Sequence, residues 1–245
     1  LVGSEMCIRD RTAYGICFPA GSVSATLVPL LLILGSTQMI AAFKRSYQFE
    51  HVFKSAFCIG LLPMLYAPAL PLVLIVPVTL VLYRRTLREA VVAAAGLLLP
   101  FFICSVVWWG LGDSFGLMGH ELLAGTTLGE DTALPALFGE KGVWSKVYIG
   151  LFAALTLCSA IIILRTLPSL RTRAKKIHIH FLWLLLLCLI SLLLPGSTIA
   201  SLGVLAVPCC VTVSAFFIRY RGWLPLAIYT VLTALMLYIN LFPGV

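Results

Sequence analysis

Charged side chains are scarce in this chain, and their scarcity excludes most soluble folds. They make up 11% of the 245 residues, whereas apolar residues make up 61%. A soluble domain averages about 25% charged and about 45–50% apolar residues. The composition therefore predicts a protein embedded in a lipid bilayer.

The sequence also lacks the spacings that bind metal ions or carry redox chemistry. Its eight cysteines include no C-x-x-C pair, and no His/Cys spacing suits zinc. Most cysteines fall within apolar runs, where a thiol packs as a small hydrophobic group. Gly-rich phosphate loops, nucleophile elbows and internal repeats are missing as well. We predict neither a metal site nor a cofactor.

Charge is missing again from the middle of the long apolar runs. An ionised group inside a membrane costs about 2.5–3.5 kcal/mol or more, and is kept mainly for proton relays, ion sites and gating. Its absence argues against an ion-coupled transporter and a voltage sensor. The polar group in the middle of the first run is Ser36, Thr37 and Gln38, and the middle parts of the other runs hold only scattered Ser and Thr. We interpret them as hydrogen-bonding groups between helices, with substrate contact as the alternative.

The basic residues are concentrated in four clusters, which hold thirteen of the seventeen Lys and Arg residues. They are Lys44, Arg45 and Lys54; Arg84, Arg85 and Arg88; Arg165, Arg171, Arg173, Lys175 and Lys176; and Arg219 with Arg221. The net charge is +8, but no nucleic-acid motif accompanies it. Because the clusters alternate with apolar runs, anionic lipid headgroups are the expected partners. The predicted headgroup contacts are Arg84, Arg85, Arg88, Arg171, Arg173, Lys175 and Lys176.

Six apolar runs are candidates for membrane helices, each of which needs roughly 20 residues to cross. They are residues 20–43, 89–109, 147–164, 181–194, 199–218 and 223–241. The run 181–194 is short and ends at the turn signal Pro195-Gly196-Ser197. Five tryptophans and one tyrosine fall at the ends of predicted membrane helices and are interpreted as interfacial anchors: Trp108, Trp109, Trp144, Tyr148, Trp183 and Trp223.

Residues 55–83 require a separate interpretation. A single helix over this range would be roughly 43 Å long, which exceeds what a bilayer core needs. It would also place the first two basic clusters on opposite sides of the membrane. Pro63, Pro68 and Pro71 interrupt the run, and a proline inside a helix removes a backbone hydrogen bond. We therefore predict a hairpin of two short helices turning near Tyr66-Ala67-Pro68, with a single kinked helix as the alternative.

The predicted fold is an all-α, polytopic transmembrane bundle of about eight membrane segments. Because cytoplasmic loops retain Lys and Arg, all four basic clusters are placed in the cytoplasm and both ends of the chain outside. Residues 12–245 then form one transmembrane domain, with a basic cytoplasmic loop at 165–180. Residues 110–146 form an outer loop that holds five of the seven acids beyond residue 11.

That outer loop is the most plausible place for chemistry. Asp113, His120, Glu121, Glu130 and Asp131 can supply a general acid or base, or bind a divalent cation through oxygen. His120-Glu121 has no second His four residues on, so it is not the helical zinc-protease motif. Acids in a solvated loop are usually only solvated, so these five are weak catalytic candidates.

The first eleven residues, LVGSEMCIRDR, resemble a translated sequencing-adapter scar. We expect residues 1–11 to be non-native and the natural protein to extend upstream. Elsewhere, small residues at Ala90, Ala93, Ala94, Ala95 and Gly96 predict a surface for close helix packing.

Several stretches carry a resemblance to a known family. They are Phe53–Leu62, Leu65–Leu70, Arg84–Glu89, Gly96–Pro100 and Leu205–Pro208. Together they resemble a family of multipass inner-membrane proteins of Gram-negative bacteria that is classed as a domain of unknown function. The resemblance implies a multipass fold with further helices upstream and no known substrate. Lys54-Ser55-Ala56 stands where the family is expected to carry an acidic residue.

A weaker likeness, in architecture alone, points to multipass glycosyltransferases that use lipid-linked sugars. They too place a proline-broken hairpin before an Arg-flanked span, and their catalytic acid usually lies in an early outer loop. Architecture by itself is a poor guide to function.

Three functions are consistent with these patterns. The first is a non-enzymatic component of an envelope assembly or biogenesis complex, located in the bacterial inner membrane. The second is a glycosyltransferase-like enzyme that acts at the outer face on lipid-linked sugars. The third is a transporter of neutral or lipid-like cargo, with Ser36, Thr37 and Gln38 along its path.

Overall fold

The computed structural model describes residues 23–42, 49–112, 114–124, 143–170, 172–194, 196–197, 199–219 and 223–241. These residues form helices and contain no strand. The α-helices are α1 (Val23–Ala42), α2 (Phe49–Leu65), α3 (Ile75–Leu82), α4 (Leu87–Gly110), α5 (Leu117–Ala124), α6 (Val143–Thr166), α7 (Thr172–Leu193), α8 (Ile199–Arg219) and α9 (Trp223–Leu241). Two 3₁₀ segments, Ala67–Leu74 and Leu167–Ser169, precede α3 and follow α6.

Four of these helices are long and apolar enough to cross a membrane. The qualifying stretches are Leu87–Gly110, Lys146–Ser169, Ala174–Leu193 and Ser201–Ile218. Three further apolar stretches are shorter, at Thr26–Ala42, Ala67–Leu82 and Pro225–Ile239. The all-helical class and the membrane-compatible helices are confirmed, but the predicted eight segments are not.

The structure differs from the sequence prediction around the third basic cluster. Helix α7 begins at Thr172, so residues 172–180 are helical instead of forming the second half of a loop. Lys, Arg and Ala are good helix formers, and long basic side chains can reach past an apolar surface to water. Trp183 consequently lies in the middle of α7, away from the helix end at which it was expected.

Glycines set the close packing of α1, α2 and α4. A Cβ atom at Gly60 would lie 2.8 Å from the backbone oxygen of Leu97, and one at Gly96 would lie 2.9 Å from that of Phe53. A Cβ at Gly35 would lie 2.8 Å from Cγ1 of Ile59. The predicted small-residue surface is present at Ala93 and Gly96, which are buried against α2. Ala94 and Ala95 are exposed.

The chain reverses its direction at Tyr66, where the sequence predicts a turn. Helix α2 ends at Leu65, Tyr66 is extended, and the chain resumes in the 3₁₀ segment. The Ser191 hydroxyl donates to the Pro68 carbonyl oxygen at 2.6 Å, whereas Thr79 contacts His180 at 3.1 Å. Residue 68 thus pairs with residue 191, and residue 79 with residue 180. Because the residue numbers rise along one segment as they fall along the other, the segment from Ala67 to Leu82 runs antiparallel to α7.

The later helices are arranged around α8. Its apolar stretch is 72% buried, the largest share among the four candidate spans. Cys188 of α7 contacts the Val204 carbonyl, and the two helices run antiparallel. Helix α6 packs against α8 through Phe152 and Leu155, and Phe152 also meets Leu185 of α7. Helix α9 lies against α6 and α8, and its Tyr238 contacts Trp144.

Contacts between distant residues bring the C-terminus of α1, the turn that contains Arg85 and the part of α7 that contains Lys176 to the same end of the bundle. Arg85 donates to the carbonyl oxygen of Ala42, two residues before Lys44, at 2.9 Å. The Lys176 ammonium lies 5.3 Å from the centre of the Tyr83 ring. We call the end of the bundle marked by Ala42, Tyr83, Arg85 and Lys176 the basic end. Because α8 runs antiparallel to α7, the C-terminus of α8 also lies at this end.

Candidate functional site

A group of polar side chains is partly or fully buried at the basic end. We call it the polar cluster; its members are Thr79, Tyr83, Arg85, Glu89, Lys176 and His180. They come from α3, the turn after it, α4 and α7. The short segment 79–89 contributes most of them, and its contacts join α1, α4 and α7.

Arg85 and Glu89 form the charged half of the cluster. The Arg85 guanidinium donates to Glu89 Oε1 at 3.1 Å and to the Ala42 carbonyl oxygen at 2.9 Å. The Glu89 side chain is 2% exposed and that of Arg85 17%. A buried carboxylate is retained only with a charged or hydrogen-bonded partner, and Arg85 is that partner. Glu89 Oε2 is also buried and has no partner within the described ranges.

The turn between α3 and α4 directs Arg85 into this pair. The Arg85 amide donates to Leu80 O and the Arg84 amide to Val81 O, which is the Schellman arrangement at a helix C-terminus. Arg84 occupies the left-handed position of that turn, with φ of 53°. This position usually holds glycine, because a side chain there costs roughly 1–2 kcal/mol. Arg84 is exposed, whereas Arg85 folds back inside.

Thr86-x-x-Glu89 has the spacing of a capping box, but the structure uses it differently. Thr86 is the N-cap residue of α4 in an extended conformation, and its side chain makes no capping hydrogen bond. Glu89, at the third helical position, bonds Arg85 instead of reaching back to the cap. The acid still lies in the first turn of α4, where the helix dipole favours a negative charge.

His180 and Thr79 form the neutral half of the cluster. The Thr79 hydroxyl donates to the Ile75 carbonyl oxygen, so its oxygen can only accept from His180 Nδ1. A neutral His180 ring therefore carries its proton on Nδ1 and leaves Nε2 as an acceptor. The residue is 1% exposed, and Nε2 has no hydrogen-bond partner in the part of the chain that the structure describes.

The sequence analysis did not predict the burial of Glu89 and His180. Glu89 was the first residue of the predicted run 89–109 and His180 the last residue of the predicted loop 165–180, yet each lies inside a candidate span. The signal for Glu89 was the Arg four residues earlier, a spacing at which opposite charges meet on a helix or at its start. For His180, the Arg- and Lys-rich residues before it were interpreted as a loop, although the helix begins at Thr172.

The outer-loop candidates are only partly described. His120 is exposed on α5, and Glu121 lies in the same helix. Asp113, Glu130 and Asp131 lie outside the described residues. The described residues hold no group of three or more His, Cys, Asp or Glu that could bind a metal ion.

The predicted headgroup residues separate into two groups. Arg84, Arg88 and Lys175 are exposed, and Lys176 is half-buried. Arg85 is committed to Glu89 and Ala42 inside the bundle. Helix α7 contains the backbone of Arg173, and Arg171 lies outside the described residues.

Ser36, Thr37 and Gln38 point in different directions. Ser36 is buried, whereas the Thr37 hydroxyl donates to Leu34 O of its own helix. Gln38 Oε1 meets His51 Nδ1 at 2.7 Å, which links α1 to α2 and agrees with the interhelical role that we predicted. Gln38 also lines an open groove of about 230 Å³, which we call the α1–α2 groove. Its lining residues are Leu34, Gln38, Phe53, Lys54, Phe57 and Cys58.

Comparisons with protein-family descriptions, with curated proteins and with solved structures find no match for this chain. The polar cluster and the α1–α2 groove are therefore interpreted from their own chemistry.

Proposed function

We propose that this chain is a non-enzymatic, integral component of a bacterial inner-membrane assembly. The observation that carries the proposal is the position of α4. One narrow face of this helix, with Ala93, Gly96 and Pro100, packs against the bundle. Only 22% of its apolar stretch is buried, so a broad apolar face is turned outward. Such a face suits lipid chains and the helices of other membrane proteins.

The polar cluster supports the same proposal because its hydrogen bonds are directed inward. Arg85 joins α1 to the start of α4, and His180 joins α7 to α3. These contacts fix helices relative to one another. A rigid bundle with an apolar exterior is what a subunit or scaffold in a membrane requires.

The proposed topology places the basic end in the cytoplasm and both ends of the chain in the periplasm. Support comes from the Arg85–Ala42 and Lys176–Tyr83 contacts, which gather basic segments at a single end. Loops rich in Lys and Arg remain on the cytoplasmic side of bacterial membranes.

Photo-crosslinking from the outward face of α4 tests the subunit proposal. A photoreactive amino acid replaces Leu98 or Phe102, both exposed on α4, in cells that express the full chain. We expect one discrete protein adduct of reproducible size. The control probe replaces Leu157, which is exposed on α6 and should give a different pattern. Adducts with lipid alone from both α4 positions would contradict the proposal.

A second candidate, transport of lipid-like cargo, is favoured by the α1–α2 groove because Gln38 lines it. Ser36 and Thr37 do not line it, and the groove opens on the outside of the two helices. Reconstituted vesicles separate the two functions. Transport predicts movement of a fluorescent lipid between leaflets that Gln38→Leu slows, whereas a subunit role predicts no movement above that of protein-free vesicles.

The enzymatic alternative concerns the outer-loop residues. Combined replacement of Asp113, Glu121, Glu130 and Asp131 by their amides removes every candidate acid while the loop keeps its size. Under our proposal the variant retains the ability of the full chain to complement a deletion strain. Loss of complementation with normal membrane levels would instead favour a glycosyltransferase-like enzyme.

A further inference from the structure

We propose that the α1–α2 groove and the charged pair at its mouth bind a zwitterionic phospholipid with a primary ammonium headgroup. One acyl chain would lie in the groove, the phosphate against Lys54 and the ammonium against Glu50. This goes beyond a subunit role, because it assigns a ligand to a surface that a subunit does not need for assembly.

The lining of the groove fits a hydrocarbon chain. Phe53 and Phe57 stack with their ring centres 6.3 Å apart and form one wall, and Leu34 and Cys58 complete an almost wholly apolar surface. The volume of about 230 Å³ is below the roughly 300–1,000 Å³ of pockets that enclose a whole drug-sized ligand. The groove therefore suits part of one chain and leaves the headgroup outside.

The depth of the groove fits a lipid whose headgroup is at the basic end. Gln38 precedes Ala42 by one helical turn, which is about 6 Å along the axis, and Leu34 precedes it by about 12 Å. Ala42 is the residue that Arg85 contacts at the basic end. A chain that descends from the membrane interface would therefore pass Gln38 first and Leu34 next.

The charged pair at the mouth explains the choice of headgroup. Lys54 donates to Glu50 Oε1 at 2.5 Å, and the two side chains are 56% and 73% exposed. The hydrogen bond from Lys54, and then its charge, hold the pKa of the Glu50 carboxyl below its ordinary value, so the group is an anion at neutral pH. An exposed pair of this kind contributes little to stability, so it opens easily to admit a ligand.

A phosphoethanolamine headgroup carries the complementary charges two carbons apart. Its phosphate can accept from Lys54, and its ammonium can donate to Glu50. A phosphoglycerol headgroup satisfies Lys54 alone and is repelled by Glu50, and a phosphocholine headgroup has no N–H to donate. Charge complementarity thus predicts a preference for phosphatidylethanolamine over both other lipids.

Native mass spectrometry of the delipidated full chain in detergent tests the site. The probes are palmitoyl-oleoyl phosphatidylethanolamine, phosphatidylglycerol and phosphatidylcholine, which share their chains and differ in headgroup. We expect Glu50→Gln to reduce the preference for phosphatidylethanolamine over phosphatidylglycerol by about fivefold, the equivalent of about 1 kcal/mol. Lys54→Gln should weaken both lipids, while Lys146→Gln, at an exposed lysine of α6 that does not line the groove, should change neither.

The chain site is tested by filling the groove. Cys58→Phe should lower binding of all three lipids, whereas the matched control Cys158→Phe, at an exposed cysteine on α6, should not. If Cys58→Phe does not fold, Leu34→Trp fills the groove from α1, with the exposed Leu30→Trp as its control. Equal binding by filled and control variants would overturn the site, and an unchanged lipid preference in Glu50→Gln would overturn the headgroup assignment.

Discussion

Two groups of helices in this bundle pack in different ways. The first group is α1, α2 and α4, and the second is the pair of helices α6 and α9. In the first group, glycines allow backbones to approach so closely that a Cβ at Gly60 or Gly96 would collide with a neighbouring carbonyl oxygen. In the second, large rings such as Trp144 and Tyr238 meet at 5.5 Å between centres. Gly150 of α6 faces open space. Glycine contacts tolerate no added atom, whereas ring contacts can rearrange.

The first group also contains the buried charge, so the largest effect of a substitution is expected there. Glu89→Ala removes the acidic partner of the largely buried Arg85 guanidinium, which keeps its hydrogen bond to the Ala42 carbonyl oxygen. Breaking a buried pair from one side costs about 3–5 kcal/mol, and the 17% exposure of Arg85 places our expectation at the lower end. Denaturation by SDS in mixed micelles, followed by circular dichroism, measures the loss of unfolding free energy.

Glu50→Ala is the matched control, because it removes the acid of another pair spaced four residues apart. Both side chains of that pair are exposed, so we expect little or no loss of unfolding free energy. Equal losses in Glu89→Ala and Glu50→Ala would show that the polar cluster does not stabilise the bundle.

The next largest effect is expected from Gly60→Ala. Its new methyl group would press against the backbone of α4, which cannot move away as a side chain can. Overpacking costs about 1–3 kcal/mol, and the same SDS titration measures it. Gly150→Ala, in open space on α6, should be neutral or stabilise the protein by up to about 1 kcal/mol through helix propensity. If both substitutions behave alike, the contrast between the two groups of helices is wrong.

Arg84→Gly should stabilise the turn that connects α3 to α4. Arg84 adopts a left-handed conformation that glycine reaches without strain, so we expect a gain of about 1 kcal/mol in unfolding free energy. The exposed Arg88→Gly would lose helix propensity instead and should destabilise. A loss of stability in Arg84→Gly would indicate that the arginine side chain makes a contact worth more than the strain.

The smallest effect is expected at the ring contact between α6 and α9. A double-mutant cycle with Trp144→Leu and Tyr238→Leu should give a coupling of about 0.5–1.5 kcal/mol. A coupling above about 3 kcal/mol would show that these helices are fixed as firmly as the glycine-packed group.

Much of the fold could be predicted from hydrophobic runs and helix-breaking residues. The ends of α1, α4, α6, α8 and α9 fall within a few residues of the predicted runs, because long apolar stretches end where polar residues begin. The turn at Tyr66 was predicted from three prolines and the charge pattern together. The turn at Pro195-Gly196-Ser197 was also predicted, and Gly196 there has φ of +74°.

Side-chain partners could not be predicted in the same way. Glu89 and His180 are buried because Arg85 and Thr79 meet them from a segment whose path depends on the reversal at Tyr66. The α1–α2 groove likewise depends on how two helices cross, and a hydrophobic pattern does not specify that. Sequence reasoning placed the chemistry in the outer loop, whereas the structure places the buried Glu89 and His180 at the basic end.

Labelling from one side of the membrane tests the central claim, which is that the chain doubles back so that the basic segments share the cytoplasmic side. Single cysteines replace Glu50, Arg88, Lys175 or Ser114 in a variant without native cysteines, and intact spheroplasts are treated with a membrane-impermeant maleimide. We predict that Ser114→Cys reacts at once, and that the other three react only after lysis. Reaction of Arg88→Cys in intact spheroplasts, with Glu50→Cys still protected, would place the two basic segments on opposite sides and contradict the account.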